Sequence, residues 1–185
     1  EKQKFFAKWR RENPEEAKRT SDRGNVLHEA CENYLNNEPV REMEQNEKML
    51  FANMRRSIDR IDNVRALEVP LWSHTLKLAG RVDCVGEFDG KLSIIDFKGS
   101  TRRKSPSNIT NYFCQATAYS IMWHEMMGEE IQQIVILISS EDGANQVFVK
   151  KPIDYVGELK RSIDLYENDM LRKKNLSSSP NLFLG

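Results

Sequence analysis

Apolar residues recur at helical spacing in two charged stretches near the start of the chain, and they predict two amphipathic helices. The first helix is predicted from about Arg23 to Asn36, with Ser21-Asp22 as its N-cap. The second is predicted to end at Asp62-Asn63. The apolar stripes are Leu27, Ala30, Cys31, Tyr34 and Leu35 in the first helix, and Met43, Leu50, Met54, Ile58 and Ile61 in the second. Before them, residues 1–12 have the pattern of a helix end, which Asn13-Pro14 breaks or restarts.

The apolar period then changes from helical to two, which is typical of β-strands. Three strands are predicted, over residues 65–72, 75–88 and 91–98, and Asp89-Gly90 predicts a two-residue hairpin turn between the last two. A polar basic loop, a long helix, two strands and a closing helix follow, over residues 99–107, 109–128, 131–139, 146–150 and 152–172. This order of elements predicts an α/β fold, in which a mixed sheet is flanked by helices on both faces.

The composition narrows the class of protein. At 185 residues we expect a single domain over 1–185, with an N-terminal helical segment (1–22), a core (23–172) and a loose tail (173–185). Basic and acidic residues both number 28, so any affinity for nucleic acid must be local. The longest apolar stretch is a strand's length, and we expect no membrane interaction. The three cysteines form no C-x-x-C pair, which favours a reducing, intracellular location, and the charged opening of the chain predicts no signal peptide.

The predicted hairpin brings two carboxylates together. Counting back from the Asp89-Gly90 turn places Asp83 directly opposite Asp96, with Lys98 on the same face. Directly opposed residues have Cβ atoms about 4.5 to 5.5 Å apart, near enough for both carboxylates to bind one divalent cation. The other face is predicted to pair apolar residues, Val82 with Phe97 among them. An ordinary cluster of ion pairs with Arg81 and Lys98 is the alternative, because a short D-x-K motif often occurs by chance. The burial of two carboxylates without a cation is costly, which favours a metal site.

The segment GRVDCVGEFDGKLSIIDFKGS, residues 80–100, resembles the signature of the RecB-like branch of the PD-(D/E)XK nuclease superfamily. The runs RGNVLHEACE and CQATAY resemble two further motifs of that branch, and the whole pattern is most similar to its mitochondrial exonucleases. The resemblance implies a restriction-endonuclease-like fold and a Mg²⁺ or Mn²⁺ site formed by His28, Asp83, Asp96 and the backbone carbonyl of Phe97, with Lys98 catalytic. The sequence departs from some members of that branch by lacking the four cysteines that hold their iron–sulfur cluster, so we expect no cluster.

Other residues are candidates on weaker grounds. The resemblance suggests that Gln115 and Tyr119, one helical turn apart, contribute to catalysis, although Tyr119 could equally pack in the core. Glu68, in the run RALE, could support the metal ligands or form an ordinary ion pair. Three cations of the basic loop could contact a phosphate backbone or lie in solvent; they are Arg102, Arg103 and Lys104. In the first helix, stacking on bases or simple packing is expected of Phe5, Phe6 and Trp9, beside Arg10.

The function that the resemblance implies is hydrolysis of single-stranded DNA from a free end, in replication, repair or recombination. Replication or recombination proteins are then possible partners, and we expect a monomer. The expected location is a bacterial or phage-infected cytoplasm, or the mitochondrial matrix if a presequence has been removed. Three alternatives stay open: a structure-specific or double-strand endonuclease on the same core, a nucleic-acid-binding module without catalysis, and a structural interaction domain with metal-free, solvated carboxylates.

Overall fold

The computed structural model describes residues 2–177, with side chains for residues 7–173. Its five main helices are α1 (Lys2–Glu12), α2 (Pro14–Leu35), α3 (Gln45–Ile58), α4 (Thr110–Met127) and α5 (Val156–Ser177). Its strands are β1 (Ile61–Ser73), β2 (Leu78–Phe88), β3 (Lys91–Ser100), β4 (Gln133–Ser140) and β5 (Asn145–Lys150). Short 3₁₀ turns precede α4 and α5, at Pro106–Asn108 and Pro152–Tyr155. Among the described residues, no helix combines the length and apolar character needed to cross a membrane.

The strands form one sheet in the order β1-β2-β3-β4-β5. All neighbouring pairs are antiparallel except β3 and β4, which run parallel because α4 carries the chain across between them. One hydrophobic core lies on the side of α4 and includes Phe113, Met122 and Ile136, and the other lies on the side of α2 and α3 and includes Leu27 and Leu50. The predicted mixed sheet with helices on both faces is therefore confirmed.

The hairpin between β2 and β3 has the predicted register at its turn. The ladder runs from Phe88 opposite Lys91 to Cys84 opposite Ile95. Asp89 and Gly90 have positive φ angles, 50° and 76°, which is the backbone that a two-residue type I′ turn requires. Continued by one residue, this register sets Asp83 against Asp96.

Several predicted boundaries were wrong. α2 begins at Pro14 rather than near Arg23, because Pro14 starts the helix and acidic side chains in its first turn favour the helix dipole. Ser21-Asp22 therefore lies inside the helix. α3 ends at Ile58, and Ile61 opens β1, where it pairs with Phe88. An apolar residue three positions after Ile58 fits the helical stripe equally well, so the pattern could not separate the two states.

Two further boundaries differ at the ends of elements. β2 begins at Leu78 rather than at residue 75, because the Glu125 carboxylate accepts hydrogen bonds from the Ser73 hydroxyl and the His74 amide and holds the preceding turn. The predicted loose tail of 173–185 overlaps α5, which continues to Ser177. Residues 178–185 lie outside the described part of the chain.

Candidate active site

The two carboxylates lie where the β2–β3 ladder ends. The last backbone pair is Cys84 with Ile95, and beyond it the Phe97 amide donates to the Asp83 carboxylate, Oδ2, at 2.8 Å. A side chain thus replaces the expected strand-to-strand bond, and the strands separate. Val82 packs in the core under α4, whereas Phe97 packs in the core under α2 and α3. The prediction that Val82 and Phe97 share a face was therefore wrong.

We call the place where β2 and β3 separate, at Asp83 and Asp96, the fork. A group of potential ligand atoms on three different elements lies there. It consists of His28 on α2, Glu68 on β1 and Asp83 on β2, with one donor atom from each lying within 4.8 Å of the others. His28 Nδ1 is 3.5 Å from Asp83 Oδ1 and 3.7 Å from Glu68 Oε1. An imidazole nitrogen with two carboxylate oxygens is a donor set that suits a divalent cation. Glu68, expected as a supporting residue, thus stands beside the proposed ligands themselves.

Glu68 has an unusual backbone. Its φ angle is +50°, although the ladder on either side pairs Leu67 with Cys84 and Val69 with Val82. The constant register across these pairs places Glu68 opposite Asp83. A left-handed conformation inside a strand costs on the order of 1–3 kcal/mol for a residue with a side chain. Strain of this kind concentrates at functional sites, and here it accompanies a carboxylate in the ligand group.

Asp96 is held by the predicted catalytic lysine. Lys98 Nζ lies 2.7 Å from Asp96 Oδ1, and Asp96 is 3% exposed. The second carboxylate oxygen, Oδ2, is buried and has no hydrogen-bond partner among the described residues. Lys98 Nζ also lies 5.3 Å from the ring centroid of Tyr112, within the range of a cation–π contact. Lys98 contacts only one of the two Asp96 oxygens, and the pairing of Asp96 with Asp83 as metal ligands stays a prediction.

The carboxylates at the fork disfavour ionisation in one another. Burial and the charge of Asp96 raise the pKa of Asp83 to about 7, although Lys98 and the Phe97 amide act in the opposite direction. Burial and the charge of Asp83 also raise the pKa of Glu68. A nearby cation would relieve this repulsion, so the site is suited to binding positive charge.

The two nitrogen bases at the fork are affected in opposite directions. Burial, reinforced by the charge of Lys98, lowers the pKa of His28, and the charges of Asp96 and Glu68 only partly compensate. A neutral imidazole is the form that binds a metal. Burial alone would lower the pKa of Lys98, but the charges of Asp96 and Asp83 outweigh it, and the pKa of Lys98 is raised. Lys98 is therefore positively charged at neutral pH.

Comparison with known proteins decides the family. The model of the PD-(D/E)XK nuclease superfamily matches residues 48–174, which is more than half of the chain and runs from α3 into α5. The chain belongs to the PD-(D/E)XK nuclease superfamily. Because the match begins at residue 48, it includes Asp83, Asp96 and Lys98 but leaves His28 outside.

One curated protein and one solved structure are similar to this PD-(D/E)XK chain. Human mitochondrial genome maintenance exonuclease 1 is 31% identical over an alignment of 128 residues, and the match covers 65% of this chain and 37% of the human protein. The match therefore spans well under half of that relative's length. The crystal structure named "Putative exonuclease" from Eubacterium rectale has a TM-score of 0.53 at 12% identity, covering 73% of this chain and 55% of that one. At this identity the likeness shows the fold alone, which is the predicted restriction-endonuclease-like α/β core.

In this PD-(D/E)XK chain, α4 places a polar pair beside the fork. Gln115 Nε2 donates to the Tyr119 hydroxyl at 3.2 Å. Burial raises the pKa of Tyr119, and the charges of Asp96 and Asp83 add to that effect. Gly80 makes room for this arrangement, since a Cβ atom there would lie 2.7 Å from Tyr119 Cε1. Gln115 is exposed and Tyr119 is buried, so α4 contributes both a polar group and packing. The predicted one-turn pairing of Gln115 and Tyr119 is present, and their part in catalysis stays a prediction.

The predicted DNA-contacting cations lie after β3. Arg102 and Arg103 are exposed, and Lys104 is half-buried. The loop is fixed to the β4–β5 region, because the Arg103 amide donates to Asp142 and the Lys104 amide donates to the Gln146 side chain. The side chains of Phe5 and Phe6 lie outside the described residues.

Two residues near the site, Tyr112 and Gly80, were not predicted from the sequence to belong to it. Tyr112 falls in the long helix predicted over residues 109–128, three residues before Gln115, and so shares the face of Gln115 and Tyr119. That spacing could have identified it. Gly80 was part of the family-like segment, but its close approach to Tyr119 depends on two elements far apart in the chain.

Proposed function

We propose that this chain is a divalent-metal-dependent exonuclease that hydrolyses phosphodiester bonds of single-stranded DNA from a free end. Membership of a nuclease superfamily supports the reaction class, and the human relative named as an exonuclease supports action from an end. The observation that carries the proposal is the fork, where His28, Glu68 and Asp83 converge beside the Asp96–Lys98 pair. The preference for a single strand rests on the resemblance of residues 80–100 to the RecB-like branch.

The residues at the fork fit a bound metal ion. The Asp96 oxygen that lacks a partner among the described residues is buried, and such an acceptor is costly unless a cation or donor approaches it. Burial and neighbouring carboxylates raise the pKa values of Asp83 and Glu68, and a bound cation would relieve that repulsion. We propose that His28, Asp83, Asp96 and the Phe97 carbonyl would hold Mg²⁺ or Mn²⁺, with Glu68 as a further candidate. Bound there, the ion would stabilise negative charge on the phosphate and activate water.

The remaining chemistry belongs to Lys98. Its protonated ammonium is held by Asp96 and the face of Tyr112, so its position is defined before substrate arrives. We assign it the stabilisation of negative charge that develops on the phosphate oxygens. The exposed amide of Gln115, next to the Tyr119 hydroxyl, is available to orient a substrate group by hydrogen bonding. We propose that Arg102, Arg103 and Lys104 contact the phosphate backbone.

The wider biological setting is also a proposal. We propose a single nuclease domain that acts as a monomer in DNA replication, repair or recombination, with proteins of those processes as its partners. The human relative is named for mitochondrial genome maintenance, and a mitochondrial matrix location is therefore one candidate beside a bacterial or phage-infected cytoplasm. We also propose that no iron–sulfur cluster is used, since three separated cysteines cannot supply four thiolate ligands.

The first test uses linear and circular DNA. Linear single-stranded DNA with a label at one end should be degraded with Mg²⁺ or Mn²⁺, and excess EDTA should abolish the cleavage. Circular single-stranded DNA of the same sequence should remain intact, because it has no end. Cleavage that persists in EDTA would contradict the metal mechanism, cleavage of the circle would indicate an endonuclease, and no cleavage under any condition would favour a binding module.

A further inference from the structure

A cleft opens beside Lys98, between the N-terminal helices on one side and the end of β3 with the loop after it on the other. Its volume is about 790 Å³. Gly99, Ser100 and Thr101, the residues directly after Lys98, line one side, and Trp9 of α1 lines another. Tyr112 lines the same cleft, and its ring is the one that contacts Lys98. The cleft is therefore adjacent to the proposed reaction centre.

The lining of this cleft combines aromatic and cationic groups. Trp9, half-buried, and Tyr112 provide flat apolar surfaces, while Arg10 and Lys104 provide positive charge against the single carboxylate of Glu16. Aromatic surfaces beside cations are the combination with which proteins bind unpaired nucleotides, since every base can stack and every nucleotide carries a phosphate. A pocket for an apolar metabolite would not need two cations at its edge.

The cleft is also held in place by contacts across several elements. The Lys104 amide donates to Gln146 Oε1 at 2.8 Å, and Gln146 Nε2 donates to the Lys104 carbonyl at 2.9 Å. Arg23 of α2, which lines the cleft, forms an ion pair with Glu141. The Glu141 amide in turn donates to the Ser100 carbonyl at 3.0 Å. Its walls are thus positioned before a ligand binds, which reduces the entropy cost of binding.

We propose that this cleft is a nucleotide subsite, which binds the bases of an unpaired strand adjacent to the bond that is cut. Trp9 and Tyr112 stack on the bases, and Arg10 and Lys104 contact the phosphates. This inference rests on the proposed nuclease function and specifies its substrate. The aromatic lining favours a single strand, because the bases of a duplex are stacked on one another inside the helix and are not free to stack on Trp9 or Tyr112.

The test walks a single abasic nucleotide along a short single-stranded substrate. In the wild-type protein, kcat/KM should fall roughly tenfold when the missing base is one that stacks in the cleft, and little at other positions. Trp9→Ala should lower kcat/KM for the intact substrate to a similar extent, and the abasic substitution should then have little further effect. Trp9→Phe should keep most of the activity, since it retains an aromatic surface.

Trp72 provides the matched control. It is a half-exposed tryptophan on β1, 48% exposed and at the opposite edge of the sheet from β5, and it does not line the cleft. Trp72→Ala should keep the wild-type kcat/KM and the wild-type response to the abasic position. Melting temperatures of both variants separate a loss of folding from a loss of stacking.

A second measurement uses binding in EDTA, where no turnover occurs. Arg10→Gln and Lys104→Gln should each reduce the slope of log Kd against log salt by about 0.7, because each removes one contact to a phosphate of a single strand. The subsite is refuted if wild type cuts DNA but Trp9→Ala keeps its full kcat/KM, or if that variant responds to every abasic position as wild type does. A wild-type protein that cuts no DNA refutes the nuclease proposal instead, so the two failures are distinguishable.

Discussion

The two ends of the β2–β3 hairpin differ in how their polar groups are satisfied. At the turn, the ladder is regular and Arg60 forms two hydrogen bonds with Asp89, at 3.0 and 2.5 Å, while its guanidinium lies over the Phe88 ring. At the fork, the ladder has ended, Asp83 replaces a backbone acceptor, and one Asp96 oxygen lacks a partner among the described residues. The same two strands therefore end in a closed, structural turn at one side and in an open cluster of charged groups at the other.

This difference separates residues that stabilise the fold from residues that are positioned to bind a ligand. Charges at the turn are paired with each other in solvent, where such pairs contribute about 0–1 kcal/mol. Charges at the fork are mostly buried, and burial makes each of them costly unless a ligand completes the set. Substitutions at the turn should thus change stability slightly and activity not at all, whereas substitutions at the fork should change activity strongly.

The largest effect is expected for Lys98→Ala. The variant should still bind single-stranded DNA but lose turnover by roughly a hundredfold or more. The reason is that it lacks the positive charge that stabilises negative charge developing on the phosphate. Single-turnover rates and Kd for the same oligonucleotide measure the two effects separately. A variant that cuts at nearly the wild-type rate would remove Lys98 from the catalytic residues.

Asp89→Asn is the control at the turn. Asn tolerates the positive φ of this position, so the substitution removes only the exposed ion pair with Arg60. Its turnover should equal that of wild type. If Asp89→Asn lost as much activity as Lys98→Ala, the comparison between the two ends of the hairpin would be wrong.

A smaller effect is expected for a pair of glycine substitutions. Gly80→Ala places a Cβ 2.7 Å from Tyr119, so the ring must move, at a cost of about 1–3 kcal/mol, and the Gln115 contact should move with it. Gly90→Ala meets no atom within 4 Å but keeps a φ of +76°, which costs about 1 kcal/mol. Both should lower the free energy of unfolding, but only Gly80→Ala should also lower kcat. Equal activity in both would contradict the role assigned to Tyr119 and Gln115.

The sequence predicted the fold and the turn of the hairpin because local rules decide them. Alternating apolar residues determine which face of β3 is buried, and Asp89-Gly90 determines the turn type and hence the register. The same register placed Asp83 near Asp96. This part of the site depends on two adjacent strands, so counting residues was sufficient.

The arrangement at the fork could not be predicted because it depends on contacts between distant elements. The ladder ends where the Asp83 carboxylate captures the Phe97 amide, and no strand pattern encodes that exchange. The left-handed φ of Glu68 is invisible in composition, since glutamate rarely adopts it. The start of α2 was missed for a simpler reason: Ser21-Asp22 has cap chemistry, but Pro14 lies upstream and starts the helix first.

The smallest effect is expected for Asp83→Asn in metal-free protein, and it tests whether the fork is built for a cation. The pKa of Asp83 is raised to about 7, above the value of about 3.9 in an unfolded chain. Stability linked to this group is therefore fully present below pH 4 and is lost as the pH rises through about 7. Asparagine can still accept from the Phe97 amide but cannot ionise. In EDTA at pH 7.5 or so, the variant should melt at or above the wild-type temperature, by a gain on the order of 1 kcal/mol, and the gain should shrink towards pH 4.

Bound metal should reverse the order of the melting temperatures of wild type and Asp83→Asn. Mn²⁺ should raise the melting temperature of wild type more than that of Asp83→Asn, because only the intact carboxylate set binds the ion tightly in the native state. Activity with Mn²⁺ should be lost in the variant, so stability without metal and activity with metal should move in opposite directions. If Asp83 served only in ion pairs, for example with His28 at 3.5 Å, the substitution would destabilise the metal-free protein and leave its response to Mn²⁺ unchanged. Thermal melts of the two proteins, with and without Mn²⁺ and at two pH values, distinguish these cases, because a structural ion pair strengthens the fold without metal whereas a ligand site weakens it.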